Sequence, residues 1–385
     1  MALRTDRNLQ LLFAALFFWS FGVGLYEGLM PIYARQLGAS PVQLGTLYTL
    51  RNLALAGGFL VGWAVADRLH HRTVMIASWL TGAPVPLLLA AATSYAWLLP
   101  GLLLYEVTYF GLPAIHAYIT RRVRPSDLAA TFTTLGAITS TAFLLAPSMG
   151  GLVADRWGIR ATLVLAAAFY MLSTILITRI RREYLEPPVA ESPRAPSREE
   201  LDPLLPALWT SAGITLAVAI TAPFIGPFLR EVRGLSLSYI GFLGSMVAVG
   251  GVVLTAIAGR IGQRLGLART LGGAMLVFAL GILLVVVSPV ALLAVFSPLR
   301  ARAPTHNLNQ ALIGARAPAA VLGRAFAIAG ALSALVSAAG VFASGFAYRV
   351  NPALPLLLSA GIAAAVGTTL LAGSSSDEPR SSDQR

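Results

Sequence analysis

The sequence predicts an all-α membrane protein with about twelve transmembrane helices in two pseudo-symmetric six-helix bundles. Three observations carry that reading. Of the 385 residues 57% are hydrophobic and only 11% charged, with a mean hydropathy of +0.75, far more apolar than a soluble domain. The apolar residues come in long runs of Leu, Ala, Val and Gly. A helix crossing about 30 Å of hydrocarbon needs about 20 of them, so a span with its connector uses about 30 residues. Finally, one long polar stretch, residues 179–203, divides the chain into two apolar blocks of similar length. Lipid leaves backbone groups no partner but each other, and the runs lack the ten-residue alternation of a barrel strand, so the spans are helices.

In chain order the spans are expected over residues 8–36, 41–66, 72–93, 95–120, 126–153 and 159–180, then 204–229, 236–259, 269–288, 290–315, 319–347 and 353–373. An N-terminal bundle of residues 1–182 is thus joined by a cytoplasmic linker, 183–203, to a C-terminal bundle of 204–373. The polar tail 374–385 is expected to be disordered.

A net charge of +12 and a pI near 10.8 suggest nucleic acid in a soluble chain, but here the charges fall between spans and report topology. With the N-terminus inside, 19 arginines lie in inner segments and six in outer ones, leaving Arg51, Arg300 and Arg302 within spans. Both termini and the linker are therefore expected in the cytoplasm, with the chain in the plasma membrane. Arg4 and Arg7 precede an apolar run that continues past Gly28, too long for a signal-peptide core, so the first span is expected to stay uncleaved. The chain has no cysteine, hence no disulfide, thiol nucleophile or cysteine metal site.

Short polar seams echo between the blocks. After span two the chain reads Gly62-Trp-Ala-Val-Ala-Asp67-Arg68-Leu-His70-His71-Arg72; after span eight, Gly259-Arg-Ile-Gly-Gln263-Arg264-Leu-Gly266-Leu-Ala-Arg269. Span five ends in Pro147-Ser-Met-Gly150-Gly151-Leu-Val-Ala-Asp155-Arg156-Trp-Gly158-Ile-Arg160. Each is a glycine-bearing helix end, Asp or Gln beside Arg, a tight turn, and another Arg, so guanidinium groups anchor at the interface and the carboxylate can cap the next helix. Six plus six spans with this recurring seam resemble the major facilitator superfamily over nearly the whole chain. The resemblance rests on Asp67, Arg68 and Arg72 in the first seam; His70 and His71 stand where the family has Gly and a basic residue, and Gln263 stands for Asp. It implies that Asp67, Arg68, Arg72, Gln263, Arg264, Arg269, Asp155, Arg156 and Arg160 belong to gating loops. Pro147, Gly150 and Gly151 match an element of family exporters.

Ionisable groups at bilayer depth are costly, about 2.5 to 3.5 kcal/mol each on insertion scales. Glu27 and Arg51 both fall in the outer half, as a proton site tuned by Arg51 or as a structural ion pair. Glu106 falls near the middle of span four, with Tyr109, Pro113 and His116 on its face by helical period. The resemblance places spans one, four, seven and ten around the solute cavity. The alternative for Glu106 is a protonated carboxyl bonded to Tyr. Span ten holds Arg300, Arg302, His306, Asn307, Asn309 and Gln310; on a continuous helix Arg302, His306 and Asn309 share one face. They are the expected solute contacts, against an alternative in which one Arg pairs with a carboxylate to hold the bundles together.

No phosphate-binding loop, zinc-binding His-Glu motif or Gly-x-Ser-x-Gly elbow is present, so ATP-driven pumping by this chain alone is not expected. The expectation is a monomeric secondary transporter, without cofactor or metal, that moves a small organic solute by alternating access in proton-coupled export. Glu27, Glu106 and Arg51 are the coupling candidates, and Tyr109, His116, Arg302, His306 and Asn309 the solute-binding candidates. Uptake of an anionic metabolite or sugar, a non-transporting sensor or assembly protein, and a membrane enzyme are the alternatives.

Overall fold

Each apolar run closes its hydrogen bonds within itself, and the computed structural model shows no strand among the described residues, which are 6–66, 70–181, 205–316 and 322–373. The side chains of 59–66, 316 and 322–327 lie outside that description, as do Asp67, Arg68, the linker 183–203 and the tail 374–385. Helix α1 is Arg7–Gln36, α2 Pro41–Ala66, α3 His71–Ala91 and α4 Tyr95–Arg122. Helices α5 and α6 are the arms of one 54-residue run, Pro125–Thr178, broken at Gly158. Helix α7 is Leu205–Ala219, followed by Ile225–Pro227 and a π turn over Phe228–Val232. Then come α8 (Leu237–Leu265), α9 (Leu267–Val287), α10 (Ala303–Arg316), α11 (Leu322–Val350) and α12 (Leu354–Gly373). By length and composition eight described helical runs can cross a membrane, and Pro125–Thr178 holds two crossings.

Sequence signals set the helix ends. Ser40 and Gln43 bond each other's backbone amides at 2.8 and 3.2 Å, a capping box with Pro41 at the first helical position of α2. Asn351 accepts the Ala353 amide at 2.8 Å before α12. The seams after spans five and eight turn on the same backbone: Gly158 has φ 83 and ψ 162, Gly266 φ 82 and ψ 158, a region essentially reserved for glycine. The chain folds back there, since Thr162 Oγ1 donates to the Gly150 carbonyl at 3.2 Å.

The helices gather into two units, Met1–Arg194 with Ile225–Ser245, and Ala195–Phe224 with Met246–Arg385. In the first, α1 lies along both arms of the α5–α6 run, and Leu9, Leu12, Phe13, Met75, Trp79 and Tyr118 are buried together. In the second, α9 packs on α12 and α7 on α11. Polar groups there bond across helices: Thr215 Oγ1 to Ser333 Oγ at 3.2 Å, and Ser359 Oγ to the Ala217 carbonyl at 2.5 Å.

Asp6 caps α1, accepting the Asn8 and Leu9 amides at 2.9 and 3.2 Å while pairing with Arg122. Burial opposes its ionisation, but Arg122 and the two amides outweigh it and hold the carboxyl below the ordinary 3.8. The unfolded chain therefore takes up this proton at higher pH than the folded one. The stabilisation is present above the ordinary value and lost as pH falls through the folded one. Asp6→Asn keeps an N-cap oxygen but removes the charge facing Arg122, so it is expected to lower stability by about 1 kcal/mol or less at neutral pH, and the difference between the two proteins' melting curves should vanish in acid.

Candidate functional site

Two prolines create the site. Pro31 and Pro113 lack the amide that would bond the carbonyl four residues back, at Glu27 and Tyr109 respectively. In response α1 tightens to a 3-10 turn over Glu27–Leu29 and α4 to one over Thr108–Gly111; Met30 and Leu112 bond the freed carbonyls at the shorter spacing. At membrane depth such irregular backbone is tolerated where protein buries it or it lines a cavity. Glu27 opens the first break, and Glu106 lies two residues before the second.

Arg51 of α2 joins them. Its Nη1 donates to Glu27 Oε1 at 2.6 Å and its Nε to Glu106 Oε1, while the guanidinium carbon lies 5.4 Å from the Tyr48 ring centroid and 5.6 Å from that of Tyr105. Side-chain exposure is 4% for Glu106, 13% for Arg51 and 36% for Glu27, so the dry end of the cluster is Glu106 and the wet end Glu27. With both carboxylates ionised the cluster carries one uncompensated negative charge.

Tyr105 also borders an open cavity of about 190 Å³ within the first unit, walled by Trp19, Trp79, Tyr109 and Phe143 and dotted with the hydroxyls of Ser20, Ser78 and Thr108. An engineered apolar cavity of about 150 Å³ holds benzene, so this one accommodates a single aromatic ring. His116 does not join the cluster; it is exposed and meets Phe132 edge-on at 5.6 Å, because the 3-10 turn interrupts the helical stripe that the sequence suggests from Glu106 to His116.

In the second unit the expected shared face of Arg302, His306 and Asn309 does not form. Ala301 is extended and α10 begins only at Ala303, with Pro304 in its first turn, so Arg302 precedes the helix. Asn309 is buried and donates to Ser211 Oγ at 2.9 Å, whereas Arg302 and His306 are exposed.

The seam residues divide. Asp155 accepts the Leu237 amide at 3.2 Å and the Ser238 hydroxyl at 2.7 Å, capping α8. Nearby Ser148 donates to Ser245 at 2.7 Å, and Arg35 grips Glu231 through two bonds of 2.7 and 3.3 Å. Arg160 bonds Tyr33 Oη at 3.1 Å and the Ala92 carbonyl at 2.9 Å; Arg156 is exposed. Arg72 donates to the Ile180 and Thr178 carbonyls at 2.6 and 3.2 Å, closing the end of α6. Gln263 and Arg264 are exposed and Arg269 half-buried. Sequence reasoning missed Glu231 and Arg35; their only signal is opposite charge in outer segments.

A family model described as Major Facilitator Superfamily matches residues 12–219 and 207–385. Proteins named Multidrug resistance protein MdtG are similar: that of Citrobacter koseri is 28% identical over 71% of each chain, and that of Klebsiella pneumoniae 27% identical over 71% of this chain and 70% of its own. Among solved structures, a nucleoside transporter NupG superimposes with a TM-score of 0.76 at 15% identity, covering 95% of this chain and 98% of its own. A human organic anion transporter MFSD10 superimposes with 0.67 at 16% identity, covering 94% and 99%.

Proposed function

The chain belongs to the Major Facilitator Superfamily and is a multi-pass membrane transporter of small solutes, and from that premise we propose that it exports a small organic solute in exchange for protons. The observation that carries the reading is the single guanidinium of Arg51 shared by Glu27 and Glu106. Two carboxylates against one cation leave a charge of −1 in a poorly solvated site, which one proton neutralises. Glu27 is the wetter exchange point and Glu106 the dry one. The proton must leave on one side and return on the other, and the breaks at Pro31 and Pro113 supply backbone that can move.

Export is favoured by the similarity to proteins named for multidrug resistance and by Pro147, Gly150 and Gly151. The 19 arginines assigned to inner segments support cytoplasmic termini. The aromatic cavity beside Tyr105 suits a solute with an apolar ring, with Tyr109 at its wall, and Asp155 on α8 is a contact that a gating motion would break and remake.

Everted membrane vesicles test this. Accumulation of phenylphosphonate is expected when the vesicle interior is acid, and is expected to collapse with the pH gradient. Accumulation confined to right-side-out vesicles would mean uptake, and accumulation indifferent to the gradient would remove proton coupling.

A further inference from the structure

Among its described residues, charge in the second unit is one-sided. Between residues 205 and 373 the sequence has a single acidic residue, Glu231, and that residue belongs to the first unit, so the described part of the second contains no carboxylate. Arginines at helix ends reach an interface by extending their stems. Arg300 is placed differently. It closes a 3-10 turn, Ser297–Arg300, that α8 meets at Gly250 and α9 at Gly281. A Cβ at Gly250 would collide with the Pro298 carbonyl and one at Gly281 with the Arg300 amide, so the turn is held at the middle of α8.

Among the described residues the Nε of Arg300 is buried without a hydrogen-bond partner, and so is the hydroxyl of Ser297, a residue 1% exposed. Residues i and i+3 of a 3-10 turn stack on one edge, so these two groups start from the same edge. Two uncommitted donors, one of them a planar cation in a unit whose described residues include no carboxylate, match the oxygens of an anion. Natural structures rarely leave such groups orphaned. We propose that Ser297 and Arg300 form an oxyanion site that takes the carboxylate or phosphonate group of the transported solute. The proposal rests on the transporter reading above and adds the chemical class of its solute.

The test is thermal stabilisation of the full chain in lipid-free detergent micelles by benzoate, phenylphosphonate and neutral benzamide. Both anions are expected to raise the melting temperature and benzamide to leave it unchanged. Arg300→Gln should weaken the anion effect about tenfold or more, Ser297→Ala a few-fold, and Arg349→Gln not at all. Equal anion shifts in the parent and in Arg300→Gln, or an equal loss in Arg349→Gln, would overturn the site. If Arg300→Gln does not fold, Ser297→Ala decides, and an unchanged anion response there overturns it. A lipid headgroup is the other source of the same chemistry: stabilisation by phosphatidylglycerol through Arg300, with none by benzoate or phenylphosphonate, refutes a solute site. Anion binding through Arg300 without vesicle transport sinks the transport reading alone, whereas coupled transport with anion binding indifferent to Arg300 sinks the anion site alone.

Discussion

Arg51→Met is expected to lower the unfolding free energy in micelles by about 3–5 kcal/mol, because it keeps the stem against Tyr48 and Tyr105 but leaves two carboxylates without their cation. The loss is unequal. Glu106, 4% exposed, has no solvent to fall back on, whereas Glu27, 36% exposed, is screened and contributes less. Adding Glu106→Gln to Arg51→Met should therefore recover most of the lost stability, and adding Glu27→Gln only a small part. A double-mutant cycle on denaturant unfolding checks the order; equal recovery by both would remove the distinction between a dry and a wet carboxylate.

Gly150→Ala is expected to be the second most damaging change. A Cβ there would run into the backbone carbonyl of Leu25, which cannot rotate away, so α1 and α5 would have to part. Overpacking of this kind costs about 1–3 kcal/mol. Gly57→Ala supplies the contrast, since no atom lies within 4 Å of its Cβ position, and it should be close to neutral. Melting temperatures of the two variants in the same micelle make the comparison, and a similar loss at both positions would contradict the packing argument.

Much of the fold was legible because hydropathy, arginine placement and glycine seams are local signals. The turns at Gly158 and Gly266 can be read from the echo of two seams, and the structure gives both the same backbone. The pairing of Glu27 with Arg51 was legible too, since neighbouring antiparallel spans bring their outer halves together. That Glu106 shares the same guanidinium was not, because it depends on how α2 docks against α4. Span ten misled for a definite reason: period counting assumes an unbroken helix, and Pro298 and Pro304 flank a break that takes Arg302 off the face of His306 and Asn309. The lack of carboxylates from 205 to 373, apart from Glu231, was visible in the sequence, but its meaning for Arg300 needed the turn that buries its Nε.

We propose that the Arg51 cluster couples solute movement to protons through Glu106. Glu106→Gln fixes that site in its neutral form while leaving Arg51 paired with Glu27, so the protein should still fold and still bind solute. The most direct measurement compares two transport modes of this variant in proteoliposomes. Solute exchange at equal pH on both sides is expected to persist, and accumulation driven by a pH gradient is expected to be lost. Gradient-driven accumulation at the parent rate in Glu106→Gln would contradict the account.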